Sequence, residues 1–90
     1  HWLDDGSFTT NSSPTFEVSR SPFYRQEITS RELHVQLPGE MVPTRLDPGG
    51  PATVTAQLPW EVPVWEGMKA AVIDLNGGNL RIAGSLTGKF

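Results

Sequence analysis

Three kinds of feature in this chain can support chemistry: an internal histidine, scattered carboxylates, and tryptophans set beside prolines. His34 is the one imidazole away from the terminus. General-base catalysis needs such a ring within hydrogen-bond reach of a nucleophile. Ser30 stands too close along an extended chain to face it, and no Gly-x-Ser-x-Gly elbow is present. A solvated His34 on a polar strand face is the expectation. Glu61, Glu66 and Asp74 supply carboxylates for glycoside chemistry, but that reaction needs two of them across a deep cleft. A chain of 90 residues seldom folds around one. His1 and His34 are far apart, and Asp4-Asp5-Gly6-Ser7 lacks the acidic spacing and final Glu of a calcium loop, so local Asx turns are expected there. The run Asp47-Pro48-Gly49-Gly50 is not followed by Lys-Ser or Lys-Thr and so predicts a connecting loop, not a phosphate cradle. These residues predict a non-enzymatic protein with no cofactor and no metal.

The aromatic side chains are the better candidates for contact with other molecules. Trp60 and Trp65 flank Pro63 and, five residues apart, fall on opposite faces of a straight strand. Exposed, they can form a stacking platform for a sugar or a peptide. Buried, one fills a core that needs large side chains and the other caps a barrel end. Trp2 and Phe8 are large apolar groups in a polar stretch, residues 1–14, which reads as an irregular arm held by a few anchors. They either bind a partner or pack on the domain itself. Asn11-Ser12-Ser13 has the form of a glycosylation sequon, a tripeptide that also arises by chance.

The elements that must position these groups follow from composition and patterning. Ninety residues make one small domain, here residues 15–90 behind the arm. The absence of cysteine excludes a disulfide framework and cysteine-ligated metals. A net charge of -3 with seven Lys and Arg argues against direct reading of nucleic acid. No apolar run approaches the ~20 residues of a membrane helix, so no membrane partner is expected. His1 opens a polar stretch without the basic start and apolar centre of a secretory signal. The missing initiator Met is expected of a processed form or of part of a longer chain, and the compartment stays open.

Nine glycines and eight prolines punctuate the chain and favour short strands. The strongest local signal lies in residues 68–86, where two apolar runs flank Asn76-Gly77-Gly78-Asn79. Asn and Gly accept the positive φ of a tight turn, so a hairpin is predicted. Ala71, Ile73 and Leu75 share one face with Leu80 and Ile82 across the turn, and Asp74 and Arg81 point the other way. Strict alternation predicts strands over residues 15–20, 31–37 and 52–58. Weaker alternation in residues 23–30 groups Tyr24, Gln26 and Ile28. Pro38-Gly39 ends an element, and residues 40–51, with three prolines and two glycines, predict a long mobile loop. Pro63 restricts residues 61–65 to an edge strand or an extended segment. The expected architecture is all-β: a small barrel or sandwich of about five to seven short antiparallel strands, SH3-like barrels included.

The second half of the chain resembles the small head–tail connector proteins of tailed bacteriophages, of the stopper or head-completion class. The matching positions are Leu58-Pro59, Pro63-Val64, Gly67, the turn Asn76-Gly77-Gly78 and Gly84. Met68 stands where that family often carries Asp, and the hairpin turn is longer than its usual Asp-Gly. The resemblance implies a small β-barrel, a structural virion component, and a homo-oligomeric ring that contacts neck proteins through arms and loops. The other reading of the residues is a ligand-binding β module working through Trp60 and Trp65.

Overall fold

The computed structural model describes residues 9–29 and 31–89; Trp2, Phe8, residues 4–7 and Ser30 lie outside them. The chain is all-β, and its described residues form eight strands: β1 (Thr9–Asn11), β2 (Thr15–Arg20), β3 (Glu32–Leu37), β4 (Glu40–Gly50), β5 (Thr53–Gln57), β6 (Val62–Val64), β7 (Lys69–Asp74) and β8 (Arg81–Gly88). Six of them close into an antiparallel barrel in the order β2-β5-β4-β3-β7-β8. The consecutive strands β3, β4 and β5 form a meander, β7 and β8 a hairpin, and β2 seals the cylinder by pairing with both β5 and β8. β1 and β6 form a separate two-stranded ribbon in which Thr10 faces Pro63.

Period-two patterning sets the inward face. On β3, Leu33, Val35 and Leu37 are buried, and on β5, Val54 and Ala56. They meet Phe16, Val42, Leu46, Val72 and Leu86 in one core, to which β6 adds Val62 and Val64. Tight turns fit their sequences. Pro38-Gly39 joins β3 to β4 with Gly39 at φ +88°, the Pro-then-Gly pattern of a type II turn. Gly77 and Gly78 both take positive φ in the single 3-10 turn Asn76–Gly78, so the predicted hairpin is present at the predicted place.

Two expectations are overturned. Residues 40–51 are not a mobile loop, because Glu40–Gly50 is the longest strand of the barrel. Its prolines are tolerated by position. Pro43 lies where β4 has a ladder partner in β3 but not yet in β5, whose pairing starts at Arg45, and Pro48 sits beside a register shift. Val42, Thr44 and Leu46 alternate inward beneath those prolines. The turn is displaced to Pro51-Ala52, where Ala52 takes φ +55° and its carbonyl accepts from Val18 N at 2.8 Å.

The hairpin face is the second correction. Its grouping is as predicted, but Leu75, Leu80 and Ile82 lie exposed on the outside, Ile73 beside them is buried at 5% without joining the core cluster, and Asp74 lies inside, 2% exposed. An extra residue on β8, Ala83, sits opposite the Val72–Ile73 junction as a bulge and resets the inward face. Residues 23–29 form no strand; the segment crosses the upper end of the barrel, burying Tyr24 and Ile28 while Gln26 stays exposed.

Barrel closure also requires a close backbone approach. A Cβ built on Gly84 would stand 2.8 Å from Ser19 O and 3.2 Å from Arg20 Cα on β2. Gly84→Ala is therefore expected to lower the unfolding free energy by about 1–3 kcal/mol, the usual range for overpacking, as read by urea denaturation.

Candidate functional site

Strand directions divide the barrel into two ends. The 21–31 segment, the Pro51-Ala52 turn and the β7–β8 turn lie at the upper end; the Pro38-Gly39 turn, the β1–β6 ribbon and residues 58–68 lie at the lower end.

At the upper end, Tyr24 and Asp74 form a buried polar pair. Tyr24 Oη donates to Asp74 Oδ2 at 2.5 Å, and Asn76 donates to Asp74 Oδ1 from its backbone N and its side-chain Nδ2, both at 2.8 Å. Asn76 Nδ2 also reaches Glu32 O at 3.3 Å, so one amide ties the hairpin turn to the start of β3. The Tyr24 hydroxyl, backed by the Asn76 donors, holds the Asp74 carboxyl below its ordinary range against the opposing effect of burial. Burial, followed by the hydrogen bond to Asp74, pushes the Tyr24 phenol up. Both oxygens of the carboxylate are satisfied, and the arrangement works as a latch holding the 21–31 segment to the hairpin. Arg20 reinforces it by donating from Nη2 to Gln26 O at 2.6 Å and Tyr24 O at 3.3 Å.

The surface above the latch is apolar and basic. Phe23 is 91% exposed, and Leu80 and Ile82 are 61% and 59% exposed. Phe23 N donates to Ser21 Oγ at 3.2 Å, a local turn that directs the chain outward. Arg20, Arg25, Arg31 and Arg81 lie at this end, and none of them is ion-paired among the described residues.

At the lower end, Trp60 is 49% exposed and its Nε1 donates to Glu40 Oε1 at 3.3 Å. Trp65 is half-buried against the core. The two rings thus divide the roles: Trp65 packs, and Trp60 alone keeps an open face. Residues 58–60 leave β5 to follow the N-terminal segment, Leu58 N donating to Ser12 O at 2.9 Å. Beside this departure runs an open groove of about 450 Å³, lined by His34, Pro43, Arg45, Gln57, Leu58 and Pro59, among others. His34 is therefore half-buried on the outer face, between Pro43 and Ile73 in register. Glu32 and Arg45 form an exposed ion pair across the groove wall at 3.8 Å.

The three carboxylates considered for glycoside chemistry are not brought together. Asp74 is in the upper latch, Glu61 Oε1 accepts from Thr10 Oγ1 at 3.2 Å on the lower ribbon, and Glu66 pairs with Lys89 at 3.8 Å. Among the described residues, no group of three or more His, Cys, Asp or Glu side chains is placed to hold a metal ion. Among the described residues, no helix is long and apolar enough to cross a membrane. Sequence reasoning missed the Tyr24–Asp74 pair; the signal available was Asp74-Leu75-Asn76 before two glycines, the makings of an Asx turn.

No protein-family model matches the chain, and no curated protein matches it in sequence.

The latch gives stability a definite pH profile. Asp74 has a lowered folded-state pKa, so its contribution is present above the ordinary value of 3.8 and is lost as pH falls through the lower folded value. Tyr24 has a raised one, so its contribution is present below 10.0 and is lost as pH rises toward the higher folded value. Tyr24→Phe, which strands Asp74 Oδ2, is expected to cost about 1–3 kcal/mol near neutrality. It is also expected to shift the acid unfolding midpoint to higher pH, as read by circular dichroism.

Proposed function

We propose that this protein is a non-enzymatic assembly module that works through contacts with other protein chains, a ring-forming virion head–tail connector being the most specific form of that reading. The observation that carries it is the exposure of three large apolar side chains, Phe23, Leu80 and Ile82, at the same end of a closed barrel. A barrel of this size has few large apolar side chains, and leaving several in water forgoes about 1.5–3 kcal/mol each. Gathered patches of this kind mark interaction surfaces more than scattered residues do. Support for the connector form comes from the resemblance in residues 58–84 and from a barrel with loops and a ribbon at its ends. The protein in native extracts of its source is expected to elute by size-exclusion chromatography in a complex well above its own mass. Elution only as a free monomer would overturn the reading.

A second reading rests on Trp60. Its half-exposed ring beside the groove suits a carbohydrate or peptide module. That reading expects a change in tryptophan emission on titration with a glycan and peptide panel; an unchanged spectrum across the panel removes it.

A further inference from the structure

The two ends of the molecule are complementary to each other. The upper end projects Phe23 from the 21–31 segment, with Leu80 and Ile82 on the neighbouring hairpin. Its charge is set by Arg20, Arg25, Arg31 and Arg81, against one exposed carboxylate in the segment, Glu27. Of the other nearby acids, Asp74 is buried and already satisfied by Tyr24 and Asn76, and Glu32 pairs with Arg45 at 3.8 Å. The lower flank has the opposite character. Its groove is walled by Pro43, Leu58 and Pro59 together with His34 and the Glu32–Arg45 ion pair, and the half-exposed Trp60 follows Pro59 in sequence. Glu40 is fixed beside Trp60 by the indole hydrogen bond, and Glu61 follows it in sequence on the exposed side. Of the basic residues on this side outside the Lys89 ion pairs, Arg45 lines the groove and pairs with Glu32 at 3.8 Å, and Lys69 lies across β3 and donates to Thr87 Oγ1 at 3.3 Å.

From this complementarity, and resting on the assembly reading above, we infer that the partner is a second copy of this chain. The Phe23 end of one copy docks into the Pro43–Leu58–Pro59 groove of the next, and the upper arginines meet Glu40 and Glu61 beside Trp60. The groove, at about 450 Å³, is large enough to take an aromatic side chain. Because the two surfaces differ, the contact is head-to-tail, and a pair of copies keeps one donor and one acceptor surface free for continued growth. Apolar insertion supplies the holding energy, while the charges steer and orient the encounter.

Sedimentation velocity of the purified chain, from micromolar to millimolar, tests this. The mass is expected to rise with concentration to at least twice that of the monomer. Two variants isolate the surfaces: Phe23→Ser with Arg25→Glu on the donor, and Trp60→Ser with Glu61→Lys on the acceptor. Each alone is expected to remain monomeric with an unchanged far-ultraviolet spectrum. Their equimolar mixture is expected to form one-to-one dimers that grow no further, since only one intact surface pair remains. Should Trp60→Ser disturb the fold, Glu61→Lys alone serves as the acceptor variant. A wild-type chain that is monomeric at millimolar concentration overturns the inference, as does a mixture that stays monomeric. Self-association of the acceptor variant overturns it in favour of symmetric pairing through the Phe23 end. A monomeric purified chain alongside a large native complex would sink this inference while leaving the assembly reading in place.

Discussion

β2 must find two partners at once, and the rest of the barrel depends on that. Thr15, Phe16 and Glu17 pair with β5, and Phe16 through Arg20 pair with β8. Without β2, the meander and the hairpin would form an open sheet with long unpaired edges on β5 and β8. With it, both edges are consumed and Phe16 becomes a fully buried centre of the core. Gly84 makes the approach possible, because there the backbone of β8 stands too near β2 for any side chain. The Val18 bond to the Ala52 carbonyl then anchors the same strand to the neighbouring turn.

Closure explains the character of the surface. A sealed cylinder with a small core has little room for a polar cavity, and its interior is filled mostly by aliphatic groups with the rings of Phe16 and Tyr24. What remains for contact is at the ends and on the outer wall. The upper end is covered by an irregular segment, and it stays in place through Tyr24, Ile28 and the buried carboxylate beneath it. The same latch therefore finishes the core and sets the position from which Phe23 projects.

Much of the fold was legible. Thr15–Arg20 and Glu32–Leu37 alternate cleanly and are strands at nearly the predicted limits, and the Asn-Gly hairpin is where its turn residues place it. The edge character of Val62–Val64 followed from Pro63 alone. β4 was hidden because two prolines and two glycines outweighed a plain alternation at Val42, Thr44 and Leu46. Local punctuation cannot reveal that a proline's missing donor falls where one neighbour is absent. The hairpin face was misassigned for a related reason. Alternation gives two sets of residues but not which set faces in, and the Ala83 bulge and the covering segment reversed the ordinary choice of apolar over acidic. Of the aromatic candidates, Trp60 is exposed and Trp65 packs inward. The exposed Phe23 carried no signal, since nothing in Ser21-Pro22-Phe23 distinguishes an outward ring from a buried one.

The small ribbon has its own consequence. β6 is three residues long, pairs with β1, and carries proline at its centre. A Val-Val-Val segment in that place would offer a continuous row of amide donors to any passing chain, the template from which fibrils grow. Proline interrupts that row, and so short a strand gives a newcomer little ladder to extend. Backbone-templated polymerisation is thereby discouraged at this margin, and recognition between molecules is left to side chains, whose identity can be selective.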